Sequence, residues 1–216
     1  MFDYGAGNLF SLKSALERNG AGAVEIIHDL KEVERFDGLV LPGVGNFDPA
    51  IRSIEKGSKH IDRAIDGGMP VLGICLGMEM LFDRSEEGKL EGLKILDGDV
   101  VMLPKNKVKI PHMGWNNLAI KAGKNGSRIL KGVPDGSWVY FVHSYRAAPK
   151  SRKLVVATSE YGVNIPAVIE QGNLVGVQFH PEKSGDVGAV MIRNFIEMCE
   201  EEVIVEEGEK SGNDKK

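Results

Sequence analysis

Apolar positions in the first ninety residues follow two alternating rhythms, one helical and one continuous. Leu9, Leu12 and Leu16 recur at helical spacing; Asn8 ahead of them is a good N-cap, and Gly20 beyond them is a natural stop. Val24 to Ile27 then reads as a strand, as does Gly38-Leu39-Val40-Leu41 before Pro42-Gly43. Asp48-Pro49 starts a second helix with proline in its opening turn. That helix places Phe47, Ile51, Ile54, Ile61 and Ile65 on one face and stops at Gly67-Gly68. The unbroken apolar run Met69 to Ile74 predicts a strand buried on both sides, and Met78 to Phe82 begins a further helix. Strand and helix in alternation predict a parallel sheet covered on both faces.

Beyond residue 90 the rhythm changes to short β-rich segments at 94–103, 115–120, 137–147, 153–158, 165–170 and 173–179. A last helix over 184–200 gathers Val187, Val190, Met191, Asn194, Phe195 and Met198 on one side. No internal repeat and no linker interrupts the chain, so one α/β domain with a strand-rich second half is expected over 1–199. Only Met1 to Tyr4 precede the first Gly-rich turn. The opening strand is therefore a stub, or residues ahead of it are missing.

The 216 residues hold 27 Lys or Arg against 31 Asp or Glu, a formal net charge of −4. From Glu200 to Lys216, seven acids face three lysines, which accounts for the whole imbalance and leaves the body neutral. A neutral body offers no basic stripe for phosphates, so nucleic acid is excluded as a partner. The acidic tail, 200–216, is expected to be disordered. The longest uncharged apolar stretch, Gly67 to Met78, falls far short of the roughly 20 residues of a membrane span, and Asp3 interrupts any secretory leader. Two cysteines, Cys75 and Cys199, allow at most one bridge, which rules out a disulfide scaffold and favours a reducing compartment. A cytoplasmic protein without membrane association is expected. Glycine is the outlier: 27 are present, where average usage gives about 15.

Several of those glycines flank candidate chemistry. Gly73-Ile74-Cys75-Leu76-Gly77 joins a strand to a helix and has the form of a nucleophile elbow with cysteine in place of serine. Such a turn needs small residues two positions either side of the nucleophile. The helix beyond it is expected to lower the thiol pKa toward the attacking thiolate. Five histidines compete for the role of base: His28, His60, His112, His143 and His180. His28 ends a strand and His60 lies in an amphipathic helix, so both read as structural or solvent-facing. His180 stands out because Gln178-Phe179-His180-Pro181-Glu182 follows the apolar run Leu174 to Val177. Side chains two apart at a strand end point the same way. Glu182 can then hold one imidazole nitrogen while the other faces a thiol. Pro42-Gly43-Val44-Gly45, at another strand end, can turn a backbone N–H toward a developing oxyanion, joined by the N–H of Leu76.

Other chemistries fit poorly. No C-x-x-C pair exists, so a structural zinc site is not expected. Gly5-Ala6-Gly7-Asn8-Leu9-Phe10 begins like a dinucleotide fingerprint but has Phe10 at the third glycine position. Gly88-Lys89 is followed by Leu90 rather than Ser or Thr, which excludes a phosphate loop. Cys199, on the apolar last helix, reads as core filler. Neither metal nor cofactor is expected.

Asp3-Tyr4-Gly5-Ala6-Gly7-Asn8, Pro42-Gly43-Val44-Gly45, Gly73-Ile74-Cys75-Leu76-Gly77-Met78, Pro111-His112-Met113-Gly114-Trp115-Asn116, Tyr140-Phe141-Val142-His143-Ser144-Tyr145 and Gln178-Phe179-His180-Pro181-Glu182-Lys183 occur in that order. With them, residues 2–199 resemble the class I, or triad, glutamine amidotransferases. The Pro-Gly-Val-Gly loop and Met78 are similar to the glutaminase subunits of imidazole glycerol phosphate synthase, in histidine biosynthesis. Anthranilate- and GMP-type relatives usually carry Pro-Gly-Gly and His at those places.

The resemblance implies a flavodoxin-like fold: a central, mostly parallel sheet flanked by helices. It implies Cys75, His180 and Glu182 as a catalytic triad acting on glutamine, without a cofactor. It further implies an oxyanion hole near Val44, Gly45 and Leu76, and contacts from the Ser144-Tyr145 backbone to the amino-acid end of the substrate. Ammonia would pass to a (β/α)8-barrel cyclase subunit in a heterodimer. That subunit makes imidazole glycerol phosphate and an aminoimidazole carboxamide ribonucleotide. Such glutaminases are nearly silent until the cyclase is docked and occupied, which points to Pro42–Gly45 as a bistable loop and to Asn8 and Lys183 as docking residues. One departure concerns Glu79, where many relatives carry Gln near the glutamine pocket. Competing readings are a stand-alone γ-glutamyl cysteine hydrolase, the glutaminase subunit of another amidotransferase, and a non-catalytic docking subunit. The joint presence of Cys75, His180 and Glu182 disfavours the last.

Overall fold

The computed structural model describes residues 1–5, 9–121 and 126–213, with side chains through Glu201. Asn8, expected to cap the first helix and to face a partner, lies outside the described residues. The elements in order are α1 (Leu9–Arg18), a 3₁₀ turn (Leu30–Arg35), β1 (Leu39–Leu41), α2 (Phe47–Ile54), α3 (Ser58–Asp66), β2 (Val71–Ile74), α4 (Leu76–Glu79), β3 (Arg84–Ser85), β4 (Gly98–Met102), β5 (His112–Asn117), β6 (Ala119–Ile120), β7 (Trp138–His143), β8 (Tyr145–Pro149), β9 (Val155–Glu160), β10 (Asn164–Gln171), β11 (Leu174–Val177) and α5 (Gly185–Asn213).

Six strands form the central sheet in the order β1-β2-β11-β10-β9-β6. β1, β2 and β11 run parallel, whereas β10, β9 and β6 join antiparallel. The parallel character inferred from the first half of the chain therefore holds for one half of the sheet, and the sheet as a whole is mixed. Residues of the parallel strands bury both faces. Leu39 and Leu41 point into one core with Phe47, Ile54, Ile61 and Met78. Val40, Leu72, Ile74, Val175 and Val177 point into the other with Leu12, Leu16, Met191 and Phe195. Strands covered on both sides read as continuous apolar runs for this reason. Two smaller sheets, β3-β4-β8 and β5-β7, pack beside the central one.

Three elements differ from the sequence reading in instructive ways. Val24 to Ile27 supplies only a single parallel bridge, Ile27 to Phe2; Phe2 also donates its N–H to the Val40 carbonyl at 3.0 Å. The opening segment thus lies as a stub between Ile27 and β1. The helix expected from Asp48 to Asp66 is broken into α2 and α3 by a 3₁₀ turn, Glu55–Gly57. A Cβ on Gly57 would lie 2.8 Å from the Leu30 side chain, so the break packs too closely to admit a side chain there. Within 94–103 only Gly98–Met102 is strand. Lys94, at positive φ, turns the chain before it, and Gly98, also at positive φ, is its first residue.

Candidate active site

β2 ends at Ile74, and the next residue, Cys75, has φ 45° and ψ −104°. That left-handed backbone is uncommon for a non-glycine residue and is held here by its surroundings. The Cys75 N–H still donates to the Val177 carbonyl on β11 at 2.7 Å, while α4 starts at Leu76. A Cβ on Gly73 would lie 2.8 Å from the Gly77 backbone, and one on Gly77 would run into the Leu41 carbonyl. The two glycines therefore let the chain fold back tightly around the cysteine.

Because β2 and β11 are adjacent and parallel, with Ile74 opposite Val177, their carboxyl ends open at the same sheet edge. In open α/β sheets that edge is where ligands bind. His180 follows β11 and is fixed by its N–H to the Tyr140 carbonyl at 2.9 Å. Glu182, in the turn Pro181–Lys183, brings Oε1 to 2.9 Å from His180 Nδ1. A carboxylate accepts, so Nδ1 carries the proton and Nε2 presents a lone pair. That Nε2 is buried and has no hydrogen-bond partner among the described residues. Around the sulfur, Cys75 Sγ lies 3.8 Å from the Val142 carbonyl, and Gln178 Nε2 donates toward it from 3.7 Å. The same Gln178 nitrogen donates to Glu79 Oε1 at 3.0 Å.

The electrostatics depart from the expected lowered thiol pKa. Burial pushes the Cys75 thiol well above its ordinary value, and the nearby Glu79 adds to this; hydrogen bonds from Gln178 and the Leu76 N–H only partly offset it. A four-residue helix supplies too little dipole to outweigh desolvation. Burial also raises Glu79, to about 8.

The class-I glutamine amidotransferase sequence family matches residues 1–199. The chain is 49% identical over 201 residues to the imidazole glycerol phosphate synthase subunit HisH of Caldanaerobacter subterraneus subsp. tengcongensis, covering 92% of this chain and 97% of that one. The subunit of the same name from Methanosarcina mazei is 44% identical over 202 residues, covering 92% and 98%. This chain belongs to the class-I glutamine amidotransferases. A glutamine amidotransferase of known crystal structure shares the fold, with a TM-score of 0.71 at 17% identity over 92% of this chain and 97% of that one. The glutaminase domain of Trypanosoma brucei CTPS with bound acivicin gives 0.65 at 17% identity, over 89% and 88%.

Other expected site residues of this amidotransferase fall around the same edge. Leu76 opens α4 with its N–H toward the thiol. Gly43 packs so closely that a Cβ there would lie 2.9 Å from the Ile74 carbonyl and 3.0 Å from His180 Cε1. Val44 and Gly45 continue this loop, with Gly45 at φ 132°. Ser144 and Tyr145 join β7 to β8, and both carbonyls are engaged, by Leu103 N–H at 2.9 Å and by His143 Nδ1 at 2.6 Å. Lys183 is exposed at the end of its turn.

Two features escaped the sequence reading. Gln178 was visible only as part of a motif, and its link between Cys75 and Glu79 needed the fold. His112 and His143, opposite each other on β5 and β7, form a buried relay. His143 Nδ1–H donates to the Tyr145 carbonyl, so His143 Nε2 accepts from His112 Nδ1 at 2.9 Å, and His112 Nε2 accepts from Asn116 at 3.3 Å. Both imidazoles are neutral, lowered chiefly by burial to about 3 for His143 and about 4 for His112. Facing histidines on two paired strands are the signal that knowledge of the pairing would have revealed.

Proposed function

We propose that this chain hydrolyses glutamine to glutamate and ammonia and hands the ammonia to a (β/α)8-barrel cyclase subunit. The pair would make imidazole glycerol phosphate and an aminoimidazole carboxamide ribonucleotide in histidine biosynthesis, in the cytoplasm. The observation that carries the reading is the pairing of β2 with β11, which brings the left-handed Cys75 and the His180–Glu182 pair to one sheet edge. His180 Nε2 takes the Cys75 proton, and the thiolate attacks the side-chain amide carbon. His180 returns that proton to the departing nitrogen, which leaves as ammonia. Water, deprotonated by His180, then attacks the γ-glutamyl thioester; glutamate departs and the thiolate regains its proton. Glu182 holds the imidazole tautomer throughout. The N–H groups of Leu76 and of the Val44–Gly45 segment receive the oxyanion.

The raised thiol pKa fits a centre that rests inactive until a partner docks. Two observations favour the β5–β7 face for that partner. Met113, Trp115 and Trp138 are large hydrophobics left 62%, 52% and 58% exposed there. Their strands also lead directly to the chemistry, since Tyr140 accepts from the His180 N–H and Val142 meets the Cys75 sulfur. Docking pressure on β7, relayed to the Pro42–Gly45 loop, would complete the oxyanion hole. Lys183, beside the pair, extends this face. Cys75→Ala is expected to abolish glutamine-dependent ammonia release by the assembled synthase while cyclase binding persists; unchanged release would overturn the assignment. Equal glutaminase rates with and without the nucleotide-loaded cyclase would overturn the activation.

A further inference from the structure

A cleft of about 580 Å³ opens between the β3-β4-β8 sheet and strands β9 and β10, and none of the residues placed around Cys75 lines it. Its cations come from three separate stretches of chain: Lys121 just after β6, Arg146 on β8, and Arg152 in the β8–β9 loop. Lys121 is held there twice, its N–H donating to the Val156 carbonyl at 3.0 Å and its Nζ to the Arg152 carbonyl at 3.2 Å. Thr158 on β9 and Asn164 on β10 add polar side chains to the wall. The buried Ala147 and Val155 supply apolar surface. Among the described residues no acid lines the cleft, and neither arginine makes an ion pair. Like charges gathered in this way repel one another, more strongly where protein replaces water around them.

Arg146 carries the argument further. Its Nε is buried and has no hydrogen-bond partner among the described residues, and its Nη1 makes only a long bond, 3.5 Å, to the Ala147 carbonyl. Buried donors are almost always satisfied, because an unmet one keeps its full desolvation cost. The N–H groups of a guanidinium form a fork that matches two oxygens of a phosphate or a carboxylate. Three cations without an acid exceed what one carboxylate balances, which favours a dianion. The volume lies within the roughly 300–1,000 Å³ of small-molecule sites, so an ion with a small organic group attached can be accommodated against Ala147 and Val155. We propose that this cleft binds a phosphate dianion, free or esterified to a small sugar, with Arg146 as its principal ligand and Arg152 and Lys121 supplying further charge. The site is separate from the glutaminase centre and does not depend on that reading.

The test uses the full chain without a cyclase, whose nucleotide would bring phosphates of its own. Inorganic phosphate, ribose 5-phosphate and sodium chloride are titrated into it by calorimetry at constant ionic strength and about pH 8, where the phosphates are dianions. Both phosphates should bind saturably, one per chain, and sodium chloride should not. Tighter binding of ribose 5-phosphate identifies a sugar phosphate as the occupant; equal or tighter binding of inorganic phosphate identifies the free ion, and either result supports the site. Arg146→Gln should weaken binding by at least about tenfold, the value of a hydrogen-bonded charge. Arg146→Lys, which keeps the charge and loses the fork, should recover only part of that loss. Arg152→Ala should weaken binding by about threefold or more. Heats no larger than those of sodium chloride, or wild-type affinity in Arg146→Gln, overturn the inference. If circular dichroism shows Arg146→Gln unfolded, Arg152→Ala decides, and unchanged affinity there overturns it.

Discussion

Cys75 and Cys199 are both free, both largely enclosed, and both have thiols pushed up chiefly by burial, Cys199 to about 12. Their surroundings differ in every other respect. Cys75 sits on a left-handed turn between two glycines, with the Leu76 N–H and the Gln178 amide aimed at its sulfur. Cys199 lies in the ordinary geometry of α5, near Asp37, with Gly38 and Phe195 in its packing neighbourhood. Burial therefore disfavours the thiolate at both sites. Donors aimed at the sulfur, the Leu76 N–H and the Gln178 amide, set one of the two apart.

The largest contrast concerns the glycines beside each cysteine. At Gly77 a methyl group would meet the Leu41 backbone, which is fixed by the pairing of β1 with β2 and cannot turn aside as a side chain can. At Gly38 it would meet the Cys199 sulfur, the end of a side chain that can turn. Gly77→Ala should cost more than about 3 kcal/mol in urea unfolding, and Gly38→Ala about 1 kcal/mol or less. Equal costs would show that the Cys75 turn is no more constrained than the helix.

Alkylation separates the thiols next. In the assembled, nucleotide-loaded synthase, Cys75 should react with chloroacetamide at least about 100-fold faster than Cys199, because the thiolate is the nucleophile. In the isolated chain the ratio should shrink to within about tenfold, both thiols then being governed by burial. Peptide mass spectrometry reads both sites in one sample. A ratio that ignores assembly would remove the partner from the activation of Cys75.

The elbow, the His180–Glu182 pair and the Pro42–Gly45 loop were legible in the chain because each depends on local spacing: glycines two from a cysteine, an acid two from a histidine, a Pro-Gly turn after an apolar run. The parallel half of the sheet was legible for a similar reason, its strands being apolar without interruption. What stayed hidden depends on residues far apart in sequence. The antiparallel run of β10, β9 and β6 requires pairing that no periodicity encodes. The close packing at the Gly57 break joins it to the distant Leu30, and the Gln178 amide acquires its meaning only beside Glu79. Likewise, the sign of the Cys75 shift follows from burial summed over the fold, whereas the sequence displays only the favourable helix start.

The two regions should also respond differently to acid. Below Cys75's edge, the turn 143–145 is tied by neutral His143 and His112, whose folded pKa values are about 3 and about 4. Their unfolded value is about 6.5. Between those limits the unfolded chain binds more protons, so stability present above about pH 6.5 is lost as the pH falls. The loss should reach the order of a few kcal/mol by pH 4, with amide protection at 143–145 failing before that of α5 around Cys199. His143→Gln should flatten the acid limb of the stability curve. An unchanged limb would mean that other groups carry the acid sensitivity.

The smallest effect tests whether Cys199 is only packing. Cys199→Ala should leave glutaminase activity unchanged and cost about 1 kcal/mol, the value of a small lost apolar contact. The stronger statement concerns Gly38, whose added methyl group and the Cys199 sulfur compete for one space. In a double-mutant cycle the two substitutions should therefore couple favourably: Gly38→Ala should cost less by about 0.5 kcal/mol or more once Cys199 is alanine. No such rescue is available at the other cysteine, since the atom opposing a methyl on Gly77 is a strand carbonyl that no side-chain replacement removes. Additive costs at Gly38 and Cys199 would mean that the backbone of α5, not the thiol, sets the tolerance there.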